Sequence, residues 1–314
     1  MSHPPREAPL SPTDWTLYVA SVVIFGIGWL PMRLQLGEVA PEVSAFWRFV
    51  FATPVMFALV FATRSRLAFG LRDHLLFLGL GACLFSFNFL SFYYAGYHLP
   101  SGLISVVFSL VAIIIPLLSA LLLGAPLRRG LFLGALLGVA GTGLVFGPAV
   151  VAVFTGAAAG AEAQAHMGMG LILALVGTVC FSLGSILSGI AGRRGLPLLS
   201  MTAFSFAYGL AVLGIAALIG GSPFIMEMTP RYLGSLAFLI IGPTLSGFGI
   251  YLALVRRIGA SRAGYGTVLY PLIALAISTV FEDYHWTLSA AFGIALVLIG
   301  NMLVLRAPAP ARAS

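Results

Sequence analysis

The sequence predicts an all-α integral membrane protein of ten transmembrane helices, arranged as two inverted five-helix repeats, and three observations carry that expectation. Of its 314 residues 60% are hydrophobic and only 8% are charged, with a mean hydropathy of +1.08, a composition outside the range of soluble globular chains. Apolar blocks about 20 residues long, enough to cross a bilayer core of about 30 Å, recur between short polar breaks. Finally, sequence features of the first half return in order in the second.

The blocks run 15–36, 43–63, 74–96, 100–123 and 128–154, then 168–191, 197–219, 232–254, 263–281 and 286–305. None shows the alternation of barrel strands, and runs such as Val106 to Leu123 are continuously apolar, so each must satisfy its backbone groups as a helix. The first is too long for a removable signal peptide and lacks an obvious small-residue cleavage site. Residues 1–14 and 307–314 are rich in Pro and Ala and are expected to be disordered.

Formal net charge is +7, but the cations are all Arg and sit in the breaks between spans, which reports topology and argues against a nucleic-acid partner. Thirteen fall on one side: Arg6, Arg64, Arg66, Arg72, Arg128, Arg129, Arg193, Arg194, Arg256, Arg257, Arg262, Arg306 and Arg312; only Arg231 falls in an opposite loop. By the positive-inside rule both termini are cytoplasmic, as for a multi-pass protein of a bacterial inner membrane. Cys83 and Cys180 lie within apolar spans without metal-like spacing, so neither a disulfide framework nor a metal or other cofactor is expected.

A shift of 156 places Phe25 on Phe181, Gly28 on Gly184, Pro41 on Pro197 and Ser44 on Ser200. A shift of 159 places Gly134 on Gly293, Leu137 on Leu296, Gly141 on Gly300 and Val145 on Val304. The repeats therefore run 15–154 and 168–306 around an external linker, 155–167. Because each holds an odd number of spans, the second enters from the opposite side, an arrangement that places a substrate site between the halves near the midplane.

Phe25-Gly26 with Arg33, Ala45-Phe46-Trp47-Arg48-Phe49, Leu123-Gly124 with Leu127, and Gly134 to Gly141 resemble the repeat unit of EamA-type members of the drug/metabolite transporter superfamily. Val255 to Ala263, Pro271, Glu282 and Gly293 to Gly300 resemble it again. Where that family usually carries an acidic residue after the Gly closing the fourth helix, this chain has Ala125. The resemblance implies a ten-helix permease, often an exporter of amino acids or related small metabolites, with both termini inside.

Several residues are candidates for a substrate site. Arg48 and Arg33 sit near the external ends of their spans, where positive charge is otherwise excluded. Each can snorkel or pair with Glu38 and Glu42, or Arg48 can hold a substrate carboxylate through its bidentate guanidinium. Asn88, Ser91 and Tyr94, then Ser101, Ser105 and Ser109, form polar stripes at helical spacing, as do Thr178, Ser182 and Ser185, and Thr244, Phe248 and Tyr251. Such hydroxyls also serve ordinary helix packing. Tyr265 and Tyr270 lie deeper than Tyr93, Tyr94 and Tyr97, for which an interfacial aromatic belt is an equal reading. Trp29, ahead of Pro31, either gates the cavity or anchors at the interface. Gly130, Gly134 and Gly138 allow close helix approach, with a homodimer as the lesser alternative. Glu282, Asp283 and His285 are expected in a solvent-facing loop.

No acidic residue falls mid-span and the histidines lie at ends or in loops, so facilitated export of a neutral or zwitterionic small molecule is the simpler expectation. An enzyme would need clustered His, Asp or Cys at catalytic spacing, which is not found. The alternative function is a flippase for a lipid-linked small molecule.

Overall fold

The structure, a computed structural model, describes residues 11–124, 129–155, 161–258 and 266–306, all in helices and the turns between them. Seven of its helical stretches are long and apolar enough to cross a membrane: Pro12–Leu34, Pro41–Ala62, Leu71–Gly96, Ser101–Leu123, His166–Arg193, Leu198–Ile219 and Pro230–Tyr251. Shorter apolar stretches lie at Phe132–Val145, Leu269–Phe281 and Leu288–Leu303. Large apolar side chains face outward, among them Ile219 and Leu288, each more than 80% exposed, which water would not tolerate over so wide a surface. The chain is a multi-pass membrane protein.

Helix α1 (Pro12–Ile27) opens on a capping box in which Ser11 and Asp14 satisfy each other's backbone N–H groups, with Pro12 in the first turn. Order therefore begins earlier than expected for residues 1–14; residues 1–10 and 307–314 lie outside the described residues. The helix stops at Ile27 and resumes as α2 (Trp29–Leu34). Pro31 explains the break, because its ring opposes the carbonyl four residues back, that of Ile27, and it offers no N–H.

Next come α3 (Pro41–Ala62), α4 (Leu71–Ala82), a π-helical turn at Cys83–Phe87, α5 (Asn88–Gly96), α6 (Ser101–Ser109), α7 (Val111–Leu123) and α8 (Arg129–Thr155). The second half holds α9 (Ala161–Arg193), α10 (Leu198–Ile219), α11 (Pro230–Leu239), a π-helical segment at Ile240–Gly247, α12 (Phe248–Ile258), α13 (Gly266–Phe281) and α14 (Leu288–Arg306). Helix α9 takes up residues 161–167 of the expected linker, while residues 156–160 lie outside the described residues.

The strongest packing joins one half to the other: α8 with α14, α3 and α4 with α10, α5 with α9, α6 with α13, and α1 with α13 and α12. Glycine permits the closest crossings. A methyl group on Gly141 would strike Gly293 O, one on Gly293 would strike Gly141 O, and one on Gly300 would strike Gly134 O. Helices α8 and α14 therefore cross backbone to backbone in antiparallel register. The glycine stripe of α8 is spent inside the chain, on α14 and, through Gly138, on Ile113 and Leu110 of α7 and its junction.

The second π-helical segment has a local cause. Pro243 has no N–H for the carbonyl of Leu239, and the Thr244 hydroxyl takes that carbonyl instead, at 2.7 Å. In the first half Ser86 does the same for Gly81 O at 2.9 Å, and also bonds Gly209 O of α10 at 3.0 Å. The stretches Leu71–Gly96 and Pro230–Tyr251 are thus both interrupted at mid-length, each with a hydroxyl that caps the carbonyl five residues back.

Candidate functional site

Arg48 lies two turns into α3, about 10 Å from its Pro41 end at 1.5 Å per residue, and is only 2% exposed. Its Nε donates to Thr244 Oγ1 at 2.6 Å, and its guanidinium carbon lies 4.4 Å from the centre of the Phe89 ring, a cation–π contact. Tyr93, one turn beyond Phe89, flanks the guanidinium and gives its proton to Gln35 Oε1. The π turn is what aims Thr244 at Arg48: with its proton on Leu239 O, the hydroxyl can only accept from the guanidinium.

The ion pairs of the described residues are Arg33–Glu282 at 2.8 Å, Arg194–Asp73 at 2.7 Å and Arg257–Asp14 at 2.5 Å. Arg48 is in none of them, so its charge meets no carboxylate among the described residues. The pairing of Arg33 and Arg48 with Glu38 and Glu42 is not what forms. Glu38 is exposed, and Glu42 instead accepts from Tyr94 at 2.8 Å and from Ser222 at 2.5 Å. The polar loop had offered the nearest carboxylates in sequence, but Tyr94 of α5 and Ser222 after α10 present their own donors to Glu42 first.

Phe89 opens onto a run of aromatic rings. It packs on Phe49 (5.7 Å), Phe49 on Phe85 (5.8 Å), Phe85 on Phe248 (5.4 Å), and Phe248 on Phe25 (5.7 Å). Phe25 in turn meets Tyr270 at 5.5 Å and Tyr251 at 6.4 Å. Of the expected site residues, Arg48, Phe248, Tyr251 and Tyr270 are therefore joined in one chain of contacts across both halves. Tyr265 lies outside the described residues.

Trp29 and Asn88 belong to a neighbouring cluster. Trp29 is 8% exposed and packs on Phe92 at 5.2 Å and Phe108 at 5.3 Å, with Phe181 beyond at 4.8 Å from Phe108. That burial rules out the interfacial-anchor reading, because the indole is held inside the helix packing. Asn88 shares the Phe92 face of α5 by its four-residue spacing. Its Oδ1 and the Ser105 hydroxyl are buried without a hydrogen-bond partner among the described residues, which is costly in hydrocarbon.

Ser185 and Tyr94 stand apart. Ser185 donates to the Phe181 carbonyl at 2.8 Å, and Thr178 and Ser182 bond the carbonyls four residues back in the same way, so this stripe is satisfied within its own helix. Tyr94 is 40% exposed and is tied to Glu42 at one end of the bundle.

Glu282 departs from its expected solvent-facing place. Its side chain is 4% exposed and receives Arg33, the Ser101 backbone N–H at 3.0 Å, the Ser101 hydroxyl at 2.6 Å and the Ser278 hydroxyl. It ties α2, α6 and α13 together. Beside this end, His98 Nδ1 lies 3.0 Å from His166 Nδ1; burial, and then the neighbouring ring, push the His98 pKa below its ordinary value. At the other end Asp14–Arg257 and Asp73–Arg194 each bridge the two halves. Gln35 was not among the expected site residues; its only sequence signal is a lone amide after the Pro31 break.

A family model described as the EamA-like transporter family matches this sequence twice, over residues 15–147 and 168–306. The uncharacterized transporter YvbV of Bacillus subtilis (strain 168) is 28% identical over 207 residues, 66% of this chain but only 64% of its own length, so the chain spans less than two thirds of that relative. The uncharacterized transporter YyaM of the same organism is 26% identical over 249 residues, 78% of each chain. Protein PecM of Dickeya dadantii (strain 3937) is 28% identical over 228 residues, 72% of this chain and 71% of its own. A solved crystal structure superposes with a TM-score of 0.59 at 20% identity, over 93% of this chain and 96% of the other, a likeness of fold.

Proposed function

The chain belongs to the EamA-like transporter family of the drug/metabolite transporter superfamily, and we propose that this membrane transporter is an inner-membrane exporter of amino acids or related small metabolites. It works by alternating access between two inverted five-helix repeats, ten spans in all, with both termini in the cytoplasm. The double match of one family model supports the repeat. So does the reciprocity of the α8–α14 crossing: Gly141 meets Gly293 while Gly134 meets Gly300, and the 159-residue shift equates Gly134 with Gly293 and Gly141 with Gly300. Such an exchange is the mark of a two-fold contact. The arginine bias supports the orientation.

One observation carries the site: a guanidinium 2% exposed, held between α3 of the first half and the π segment of the second, with no carboxylate to balance it among the described residues. Buried charges in membrane helices mark substrate paths more often than scaffolding. Ion pairs across the halves at both ends fit a two-gate transporter: Arg33–Glu282 on one face, Asp14–Arg257 and Asp73–Arg194 on the other.

The test is excretion. A bacterial host overexpressing the protein is challenged with amino acids, their toxic analogues and nucleobases, with Arg48→Ala and Asn88→Ala as comparisons. The expected result is selective efflux and tolerance for part of the panel, lost in Arg48→Ala at unchanged membrane abundance. Efflux that survives Arg48→Ala in full would remove Arg48 from the substrate site.

A further inference from the structure

Around Arg48 the polar groups are ordered in one direction. Thr244 accepts from the guanidinium and passes its own proton to Leu239 O. Tyr93, against the guanidinium, passes its proton to Gln35 Oε1. That leaves Gln35 Nε2, on a residue 1% exposed, without a partner among the described residues. Both ends of this small network, the guanidinium and the Gln35 amide, are therefore N–H donors, and one of them carries a charge it cannot shed.

At the equivalent position the second half supplies no opposite charge. The 156-residue shift sets Phe204 where the first half has Arg48, and Phe204 packs among Phe57 at 5.4 Å and Phe77 at 5.7 Å. Beside the guanidinium is the Phe89 ring, with Phe49 packed on Phe89 and Phe85 on Phe49. A donor-rich, singly positive centre against aromatic walls selects a ligand with one negative headgroup and an apolar body.

We propose that the site takes a small organic monocarboxylate with an apolar or aromatic body, as the anion and in preference to the zwitterion of the same frame. This rests on the permease reading above but departs from its amino acids and from the expected neutral or zwitterionic cargo, keeping only those related small metabolites that are monoanions. The carboxylate meets the guanidinium, Gln35 Nε2 is an added donor, and the body lies along the Phe rings. An α-ammonium group brought to the same place would face the Arg48 charge, and the guanidinium meets no carboxylate among the described residues that could receive it. Each cycle then moves one negative charge, so an inside-negative potential drives export, about tenfold in concentration ratio for each ~59 mV.

Three probes with related phenyl frames separate the charges: hydrocinnamate, phenylalanine and phenethylamine. They are offered to the purified full chain, wild type, Arg48→Gln and Arg48→Lys, for thermal stabilisation in detergent and for flux in liposomes under potassium–valinomycin potentials. Hydrocinnamate is expected to raise the wild-type melting midpoint and bind at least tenfold tighter than phenylalanine, with phenethylamine silent. Arg48→Gln should abolish the effect, Arg48→Lys restore part of it, and flux should follow the potential. Arg48-dependent binding of phenylalanine as tight as hydrocinnamate, or flux indifferent to potential, overturns the monoanion while leaving the permease intact. Hydrocinnamate binding untouched in Arg48→Gln, or no binding to a wild type that melts cooperatively, overturns the carboxylate site itself. The permease reading is judged separately, by the excretion panel.

Discussion

Arg33 and Arg48 both stand in the first half of the chain near one end of the bundle, yet among the described residues only one of them meets a carboxylate. Arg33 keeps 35% of its side chain exposed and still meets a buried carboxylate, Glu282, at 2.8 Å. Arg48 is 2% exposed and meets a hydroxyl, a phenol and a ring. Were both structural, desolvation would demand the reverse, because the more deeply buried cation needs the counter-charge more. On the proposed reading the difference separates a latch from a site: one charge holds helices together, and the other is kept for substrate at a cost in stability.

The largest expected effect breaks that contrast at Arg48. Replacing it with Met removes a charge-assisted contact worth about 2–5 kcal/mol, so export should fall by about 100-fold, read as initial flux in liposomes. The melting midpoint should hold or rise, since an unbalanced buried charge has been exchanged for an apolar side chain. A variant that loses stability and flux together would make Arg48 a scaffold residue like Arg33.

Glu282→Ala should show the opposite signature. It strips Arg33 and the Ser101 and Ser278 donors of their acceptor, and removing one partner of a buried pair costs about 3–5 kcal/mol. With Arg33 about one-third exposed, water recovers part of that, leaving about 2 kcal/mol. Unfolding in denaturant should record the loss, while substrate affinity stays near that of the wild type.

A finer test sets the two π turns against each other. Thr244→Val removes the acceptor on Arg48 Nε, a bond of about 1.5–3 kcal/mol when one partner is charged, and should raise KM about tenfold. Ser86→Ala, at the matching place in the first half, costs about 1 kcal/mol of stability and should leave KM unchanged. Equal effects on KM would mean that both turns touch the substrate.

The smallest effect concerns His98. Its folded-state pKa is depressed below the ordinary value of about 6.5, so between the two values the unfolded chain binds more protons. Its contribution is therefore complete above about pH 6.5 and is lost as pH falls toward the lower, folded-state pKa. Melting curves at a series of pH values should show a slight acid-side decline that His98→Gln flattens; a decline that survives the substitution has another source.

The apolar blocks, the bend at Trp29–Pro31 and the glycine-lined α8 could be read in the residues, because the solvent has a thickness and local backbone rules act over a turn or two. Arg48 was visible for the same reason: a cation in hydrocarbon is out of place wherever it falls. Gln35 and Glu282 were not. One reads as a loop amide and the other as a loop carboxylate, and only contacts from distant segments make them interior. For the stripe of Thr178, Ser182 and Ser185 the sequence left packing and cavity lining open, and each hydroxyl donates within its own helix.

By itself, then, the sequence determined that the chain lives in a bilayer and where its apolar stretches lie, since hydropathy and spacing are properties of neighbours along the chain. Which carboxylate answers which arginine was decided only by the tertiary structure. Thr244 reaches Arg48, and Glu282 reaches Arg33, across most of the chain's length. Pairings at such separation depend on how α3, the Ile240–Gly247 segment and α13 pack, and electrostatic partners buried from water are chosen by distance in space, which spacing in sequence does not encode.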